Sequence, residues 1–296
     1  VTQVAEHDWP AEHFEEHRTH LRAVAYRMLG SPSEADDAVQ EAWLRLSRTD
    51  TSDVENPRAW LTTVVSRVCL NMLRSRRRRR EEPLDAHVPD PIVSRAEGAD
   101  PEHEALLADS VGLALLVVLE QLTPAERLAF VLHDMFAVPF DDIAPIVGRS
   151  PTAARQLASR ARRRVQGTGP APEADVARQR EVVDAFFAAS RAGDFAALLE
   201  VLDPDVVTRA DAGAGRPGSE VVRGARAVAE RAMSYARLSP WVRPALVNGG
   251  AGVVVAPEGK PFAVMGFTIA GGRIVEIDAL TDPERLSRLD LAFLDE

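Results

Sequence analysis

At 296 residues the chain is long enough for two or three domains with substantial cores, and a hydrophobic content of 46% is ordinary for a soluble protein. The longest apolar run, residues 111–119, is too short to cross a bilayer; no signal peptide and no membrane association are expected, and the single cysteine, Cys69, excludes an internal disulfide and fits a reducing cytoplasm. A formal charge of −10 argues against a protein that grips nucleic acid unaided through phosphates, yet the basic residues are gathered into two blocks, which suits a DNA reader working inside a larger complex.

Residues 14–29 are predicted helical, with Phe14, Leu21, Val24, Ala25 and Met28 inward and Gly30 as the stop. Ser31-Pro32-Ser33 starts a second helix whose buried side is Ala35, Ala38, Val39, Ala42 and Leu46. Its other side carries Asp36, Asp37, Gln40, Glu41 and, in part, Trp43. Early acids simply favour the helix dipole, but a tryptophan beside them suits a protein contact. Asn56-Pro57 opens a long helix with Leu61, Val64, Val65, Val68 and Met72 as its core stripe and Trp60, Thr62, Thr63, Asn71 and Arg74 outward. It ends in six arginines within seven residues, Arg74 and 76–80. Such runs are usually only solvated; on a helix bearing Trp and Asn they suggest phosphate engagement.

Residues 81–104 read as an acidic linker that Pro83, Pro89, Pro91 and Pro101 keep irregular, and 104–122 as an apolar helix opening the next domain. Residues 122–165 then form three helices with breaks at 137–139 and 148–149. In the second, Phe140, Ile143, Ala144 and Val147 make the buried stripe and Pro145 bends the helix. In the third, Ser150 is the N-cap and Pro151 the first helical residue. Ala154, Leu157, Ala158, Ala161 and Val165 share one face; Thr152, Arg155, Gln156, Ser159, Arg160 and Arg163 share the other. Six arginines lie between 149 and 164 and no acid lies between 143 and 172, so the pair reads as a DNA-binding helix-turn-helix.

Beyond a flexible break at 167–172 the character changes. Helices are predicted at 175–190, 195–202 and 223–238, with a Gly/Pro loop at 211–218, then strands at 241–247, 251–257, 261–270 and 273–280. Turns at 248–250, 258–259 and 271–272 make the strands an antiparallel meander, giving an α+β domain. Chemistry there would need a positioned acid or base. All seven histidines lie at or before His133, no cysteine follows Cys69, and Asp211 and Asp278 show no sign of pairing in a pocket. No catalysis, no metal site and no cofactor are therefore expected.

Taken in order, DDAVQEAWLRL, NPRAWLTTVVSRVCLNMLRSRRRR and the helix-turn-helix resemble a bacterial sigma factor of the extracytoplasmic-function class, over residues 14–166. The resemblance implies two all-α sigma domains, region 2 at 10–80 and region 4 at 105–167, joined by the 81–104 linker, with an α+β NTF2-like cone of SnoaL-like type at 173–296. It implies that Asp36, Asp37, Gln40, Glu41, Trp43 and Leu44 dock on the β′ clamp helices of core RNA polymerase, with the β flap as a further contact. Trp60, Thr63, Asn71, Arg74, Arg76 and Arg77 would melt and hold the −10 element of promoter DNA. Arg149, Ser150, Thr152, Arg155, Gln156, Ser159, Arg160 and Arg163 would read the −35 element. Sigma factors with this fused domain form a subgroup of sigma-J type. Val88-Pro89-Asp90-Pro91 resembles its linker motif, the 211–216 loop its Asp-Gly-Gly-Gly-Lys loop, and 282–286 its Asn-Pro-Asp-Lys-Leu segment.

On that basis Asp211, Gly213, Gly215, Arg216, Asp282, Pro283 and Arg285 are expected to regulate the sigma module in cis, with Arg216 pairing with a linker acid; the cone's ligand, if any, is unspecified. Two other readings compete: a self-sufficient ligand-responsive repressor, and a bifunctional cyclase or isomerase.

Overall fold

A computed structural model describes residues 9–49, 54–79, 86–96, 112–167, 173–213 and 216–295. Packing divides the chain into two compact units, Val1–Glu82 with Val118–Thr168, and Pro83–Val117 with Gly169–Glu296.

The first unit is helical. α1 (Trp9–Leu29), α2 (Pro32–Leu46) and α3 (Pro57–Arg79) pack on one another, and every expected inward residue of α1 and α2 is buried. The expected stripe on α3 needs correcting. Thr62, read as outward, is buried beneath His20, whose Nε2 lies 3.1 Å from its hydroxyl, while Val64 and Met72 are only half-buried. The cause is that α3 is covered from more than one side, by α1 and α2 and also by helices of the second segment, so its buried arc widens to take in Ser66, Cys69, Leu70 and Leu73.

That second segment begins with α4 (Leu113–Glu120), which straddles the division between the units. The part of the predicted 104–122 helix before Gly112 lies outside the described residues. α5 (Pro124–Phe130) follows a capping box in which the Thr123 hydroxyl accepts from the Glu126 amide and Glu126 accepts from Thr123. A π-turn over Val131–Met135 and Ala137 at φ 55° make the predicted break before α6 (Phe140–Val147) and α7 (Pro151–Gln166). Buried Arg127 ties the unit together: its Nε donates to the Leu119 carbonyl at 2.7 Å and its Nη1 to the Met28 carbonyl at 2.8 Å, satisfying groups at two helix ends.

The second unit is a seven-stranded sheet; with β1 at Val93–Arg95, β2 at Leu202–Asp211, β3 at Glu220–Arg223 and β4 to β7 following in the chain, its order is β1-β4-β5-β6-β7-β2-β3. The meander β4 (Val242–Val247), β5 (Gly250–Val255), β6 (Ala263–Ala270) and β7 (Arg273–Leu280) is antiparallel as expected, turning on Asn248-Gly249, Glu258-Gly259 and Gly271-Gly272, all at positive φ. Three strands were not anticipated: β1, in the linker, β2 (Leu202–Asp211), parallel to β7, and β3 (Glu220–Arg223), antiparallel to β2. β2 contains Asp203-Pro204-Asp205, turn chemistry that hides a strand whose first pairing slips by a bulge. α8 (Val176–Ala192), α9 (Phe195–Val201) and α10 (Ala225–Ser234) close over one face, burying Val183, Phe186, Leu198 and Val228 against Val253, Phe267 and Ile277. The predicted 223–238 helix ends at Ser234 and tightens into a 3₁₀ stretch over Ala236–Trp241 that carries Pro240.

The linker is not irregular throughout. Val93–Arg95 forms β1 on the β4 edge, and Ile92 exchanges hydrogen bonds with Asn248, whose side-chain oxygen accepts from the Ile92 amide at 3.0 Å. Pro89 and Pro91 precede that strand and so interrupt no ladder bond.

Side chains of β2 and β7 that point away from the helices form a charged cluster. Arg209 Nη1 lies 2.9 Å from Asp278 and 2.6 Å from Glu276. Asp278 is 2% exposed; burial, then the neighbouring Glu276 charge, pushes its carboxyl up to about 7 against the pull of Arg209. An acid raised on folding holds a proton that the unfolded chain releases, so stability should fall as pH climbs from about 4 to about 7. Asp278→Asn is expected to flatten that slope in urea titrations of the full chain; an unchanged slope would assign it to another group.

Candidate nucleic-acid interface and linker clamp

The helix-turn-helix is built by local rules. Gly148 takes φ 70° to end α6, and the Ser150 hydroxyl accepts from the Ala153 amide to start α7, a cap worth about 1 kcal/mol. Ala154, Ala158 and Ala161 are buried, with Leu157 and Val165 half-buried, so small residues let α7 sit close against α5 and α6. Thr152, Arg155, Gln156, Ser159, Arg160 and Arg163 are exposed together, and Arg149 and Ser150 continue that surface. Pro145 is exposed, so its ring faces solvent. Phe140 stacks on His133 with ring centroids 3.8 Å apart, and the Arg155 guanidinium stands 5.3 Å over the Phe140 ring.

The arginines of α7 divide into two groups. Arg160 Nε and Arg164 Nη1 each lie 3.2 Å from the buried Glu126 carboxylate, and Arg162 Nε donates to Asp134 at 2.7 Å. Arg155 and Arg163, like Arg149 just before the helix, pair with no acid among the described residues. Burial raises the Glu126 pKa, but the Thr123 hydroxyl and amide and the two guanidinia outweigh it and hold it below the ordinary range.

On α3, Asn71, Arg74 and Arg77 are exposed and Trp60 and Thr63 half-buried. Arg76 is turned inward, donating to the Leu29 carbonyl at 3.2 Å and pairing with Glu34 and Glu120. Arg80 and the side chain of Arg79 lie outside the described residues. On α2, Asp36, Asp37, Gln40, Glu41 and Leu44 are exposed, Leu44 at 44%, while Trp43 rests on Phe14 with centroids 5.0 Å apart.

The expected regulatory residues converge in the second unit, on the linker. Asp211, at the end of β2, accepts from the Val88 amide at 3.0 Å and from the Gly213 amide at 3.0 Å, and lies 2.9 Å from His87 Nδ1. Arg285, on α11 (Pro283–Leu286), reaches Asp211 at 2.6 Å and Asp90 at 2.5 Å and donates to the Val88 carbonyl. Val88, Pro89, Pro91 and Val93 are buried. Burial alone would raise the Asp211 pKa; the His87 and Val88 hydrogen bonds, the His87 charge and the Gly213 amide carry it far below the usual carboxylate range.

The expected linker partner was Arg216; the observed one is Arg285. Arg216 instead lies 3.7 Å from Glu284. Gly213 has a steric reason for its identity: φ is 96°, and a Cβ there would sit 2.4 Å from Asp282 Oδ2. Asp282 caps α11 by accepting from the Glu284 amide, Pro283 is its first residue, and Gly215 lies outside the described residues, as do 168–172 of the expected hinge. His87 and Asn248 were not anticipated. A histidine thus does reach the second unit, brought by the linker; its place beside Val88-Pro89-Asp90-Pro91 was the available signal. Asp211 and Asp278 both point away from the helix-covered face. Among the described residues no group of three His, Cys, Asp or Glu could hold a metal ion, and no helix is long and apolar enough to cross a membrane.

The Sigma-70 region 2 family model matches residues 13–79 and the Sigma-70, region 4 model residues 112–165. The chain is similar to the ECF RNA polymerase sigma factor SigJ of Mycobacterium tuberculosis, 42% identical over 288 residues that cover 93% of this chain and 92% of the relative. It is 38% identical over 295 residues to the probable ECF RNA polymerase sigma factor SigI of the same organism, covering 97% and 98%. The crystal structure of Mycobacterium tuberculosis SigJ aligns with a TM-score of 0.77 at 36% identity, over 95% of this chain and 99% of that one.

Glu126 connects the cap of α5 to two arginines of α7. Glu126→Gln is expected to cost about 1–3 kcal/mol at pH 7, with the deficit shrinking as pH falls below about 4 and the wild-type carboxylate takes up its proton. Urea denaturation at pH 7 and pH 3.5 checks this; an equal deficit at both would show that charge is not involved.

Proposed function

The chain belongs to the extracytoplasmic-function RNA polymerase sigma factors, and on that premise we propose that its second unit regulates promoter-directed transcription in cis by holding the linker between regions 2 and 4. The observation that carries this reading is Arg285, which bridges Asp90 of the linker and Asp211 of the sheet while donating to the Val88 carbonyl. A linker gripped at Val88 and paired as β1 along β4 has lost the freedom of a tether, and what grips it can control it.

Within the sigma module, the exposed acids of α2 with Leu44 and the edge of Trp43 form the polymerase-facing surface, an apolar spot rimmed by charge. Asn71, Arg74 and Arg77, with Trp60 and Thr63, are assigned to the −10 strand, where aromatic and basic groups suit unstacked bases. Arg76 serves there only after leaving Glu34, Glu120 and the Leu29 carbonyl. On α7, Arg155 and Gln156 with Thr152 and Ser159 are assigned to base edges and neighbouring phosphates of the −35 duplex, and Arg149, Ser150 and Arg163 to phosphates. Arg160 both anchors α7 to Glu126 and contacts the backbone.

We assign the second unit to binding rather than catalysis. The side chains lining its interior cavity include two arginines and Tyr235, but no carboxylate or histidine among the described residues.

Arg155→Ala and Gln156→Ala should each cost about 1–3 kcal/mol in promoter binding by the reconstituted holoenzyme, at one or two −35 positions. Unaltered affinity and sequence preference would overturn the face assigned to α7. For the regulatory reading, run-off transcription with core polymerase compares the full chain, Arg285→Ala, and a chain ending at Gly169. Both alterations should shift output strongly and in the same direction. Equal output from all three would sink regulation in cis, and tight promoter binding without polymerase would favour a repressor.

A further inference from the structure

The second unit holds a cavity of about 500 Å³, open to solvent at one rim, between its sheet and α8, α10 and the 3₁₀ stretch. Its walls are apolar, with Phe186, Phe187, Leu238 and Met265 prominent. A space of this size with apolar walls and an open mouth matches small-molecule pockets. The rim also exposes two large side chains that a soluble surface usually hides, Phe262 at 43% and Tyr235 at 38%.

The polar groups of the lining set the ligand's chemistry. No acid, histidine or lysine lines the cavity among the described residues, and its two cations differ. Arg231 is committed, pairing with Glu220 and standing 4.9 Å over the Tyr235 ring. Arg216 has a looser partner: it lies 3.7 Å from Glu284, and both side chains are largely solvated, at 48% and 73% exposed. An ion pair of that kind contributes little, so Arg216 is available to a better acceptor. Deeper in, the Thr208 hydroxyl is buried without a hydrogen-bond partner. Such a group is an acceptor or donor awaiting a polar atom.

We propose that this cavity binds a small amphipathic monocarboxylate, its apolar body among the phenylalanines and its head on the Arg216 guanidinium. A carboxylate fits the planar fork of one arginine, whereas a phosphate dianion calls for more than one available cation. The inference deepens the regulatory reading and rests on it for its consequence. Arg216, Pro217, Gly218 and Pro283 all line the cavity, and Glu284 and Arg285 follow Pro283 directly on α11. A head group that draws Arg216 from Glu284 and packs on Pro283 acts on the turn that presents Arg285 to the linker.

The test is calorimetric titration of the full chain with decanoate and with decanol, repeated on Arg216→Gln and on Ala210→Phe, which fills the cavity. Decanoate should bind one per chain, about tenfold more tightly than decanol, and Arg216→Gln should abolish that preference. Ala210→Phe should remove binding of both; should it not fold, the solvated Arg216→Gln site still decides. No binding by the wild type, or a preference that survives Arg216→Gln, overturns the site. Decanoate should also alter run-off transcription by the full chain and not by Arg216→Gln; Arg216-dependent binding with unchanged transcription overturns the coupling and leaves the site. The regulatory reading fails separately, if Arg285→Ala and truncation leave transcription unchanged while decanoate still binds through Arg216.

Discussion

A single guanidinium sets the organisation of the second unit. Arg285 meets two carboxylates, Asp211 and Asp90, from segments more than a hundred residues apart, and a backbone carbonyl from the linker. Asp211 is only 4% exposed, and an isolated charge so placed would be expensive. It is affordable because His87, the Val88 and Gly213 amides and Arg285 surround it with donors. The requirement runs both ways: without the linker Asp211 loses two of those partners, His87 and the Val88 amide, so the site is electrostatically complete only when the linker is in place.

The rest of the linker's path follows from that point. In the sheet order β4 and β2 are separated by β5, β6 and β7, yet the chain is anchored at Val88 beside β2 and again at Ile92 beside β4. Residues 89–91 connect those two anchors, and buried Pro89 and Pro91 suit the task, since prolines lose little entropy on docking and bring no amide needing a partner. Asp90 between them cannot be buried unpaired, and Arg285 answers it. The proline-acid-proline sequence thus joins two anchors with one charge, and that charge is paired.

Much of the fold was legible because short-range rules decide it. The stripes of α1 and α2, the cap and breaks of the helix-turn-helix, and the three tight turns of the meander all follow from spacing and turn chemistry. What escaped was decided over long range. Thr62 reads as a surface residue until His20 of α1 covers it. β2 hides behind Asp203-Pro204-Asp205, and β1 behind prolines, because pairing with a distant strand outweighs local composition. Choosing Arg285 over Arg216 as the linker's partner likewise needs the sheet in place, since both loops carry an arginine beside an aspartate and a proline or glycine.

The same distinction governs the arginine blocks, which sequence presents as uniform positive charge. Arg76, Arg127, Arg160, Arg162 and Arg164 bond helix-end carbonyls or Glu34, Glu120, Glu126 and Asp134, leaving Arg74, Arg77, Arg78, Arg149, Arg155 and Arg163 exposed with no acid partner among the described residues. Internal pairing cancels charge that would otherwise attract any polyanion, so non-specific attraction is weaker than the arginine count implies. A chain of net charge −10 then depends on a few placed guanidinia and on a partner surface to hold it at DNA. For a sigma factor, which meets promoter DNA together with core RNA polymerase, that weakness is no handicap: the polymerase supplies the hold that an acidic chain with few unpaired guanidinia lacks.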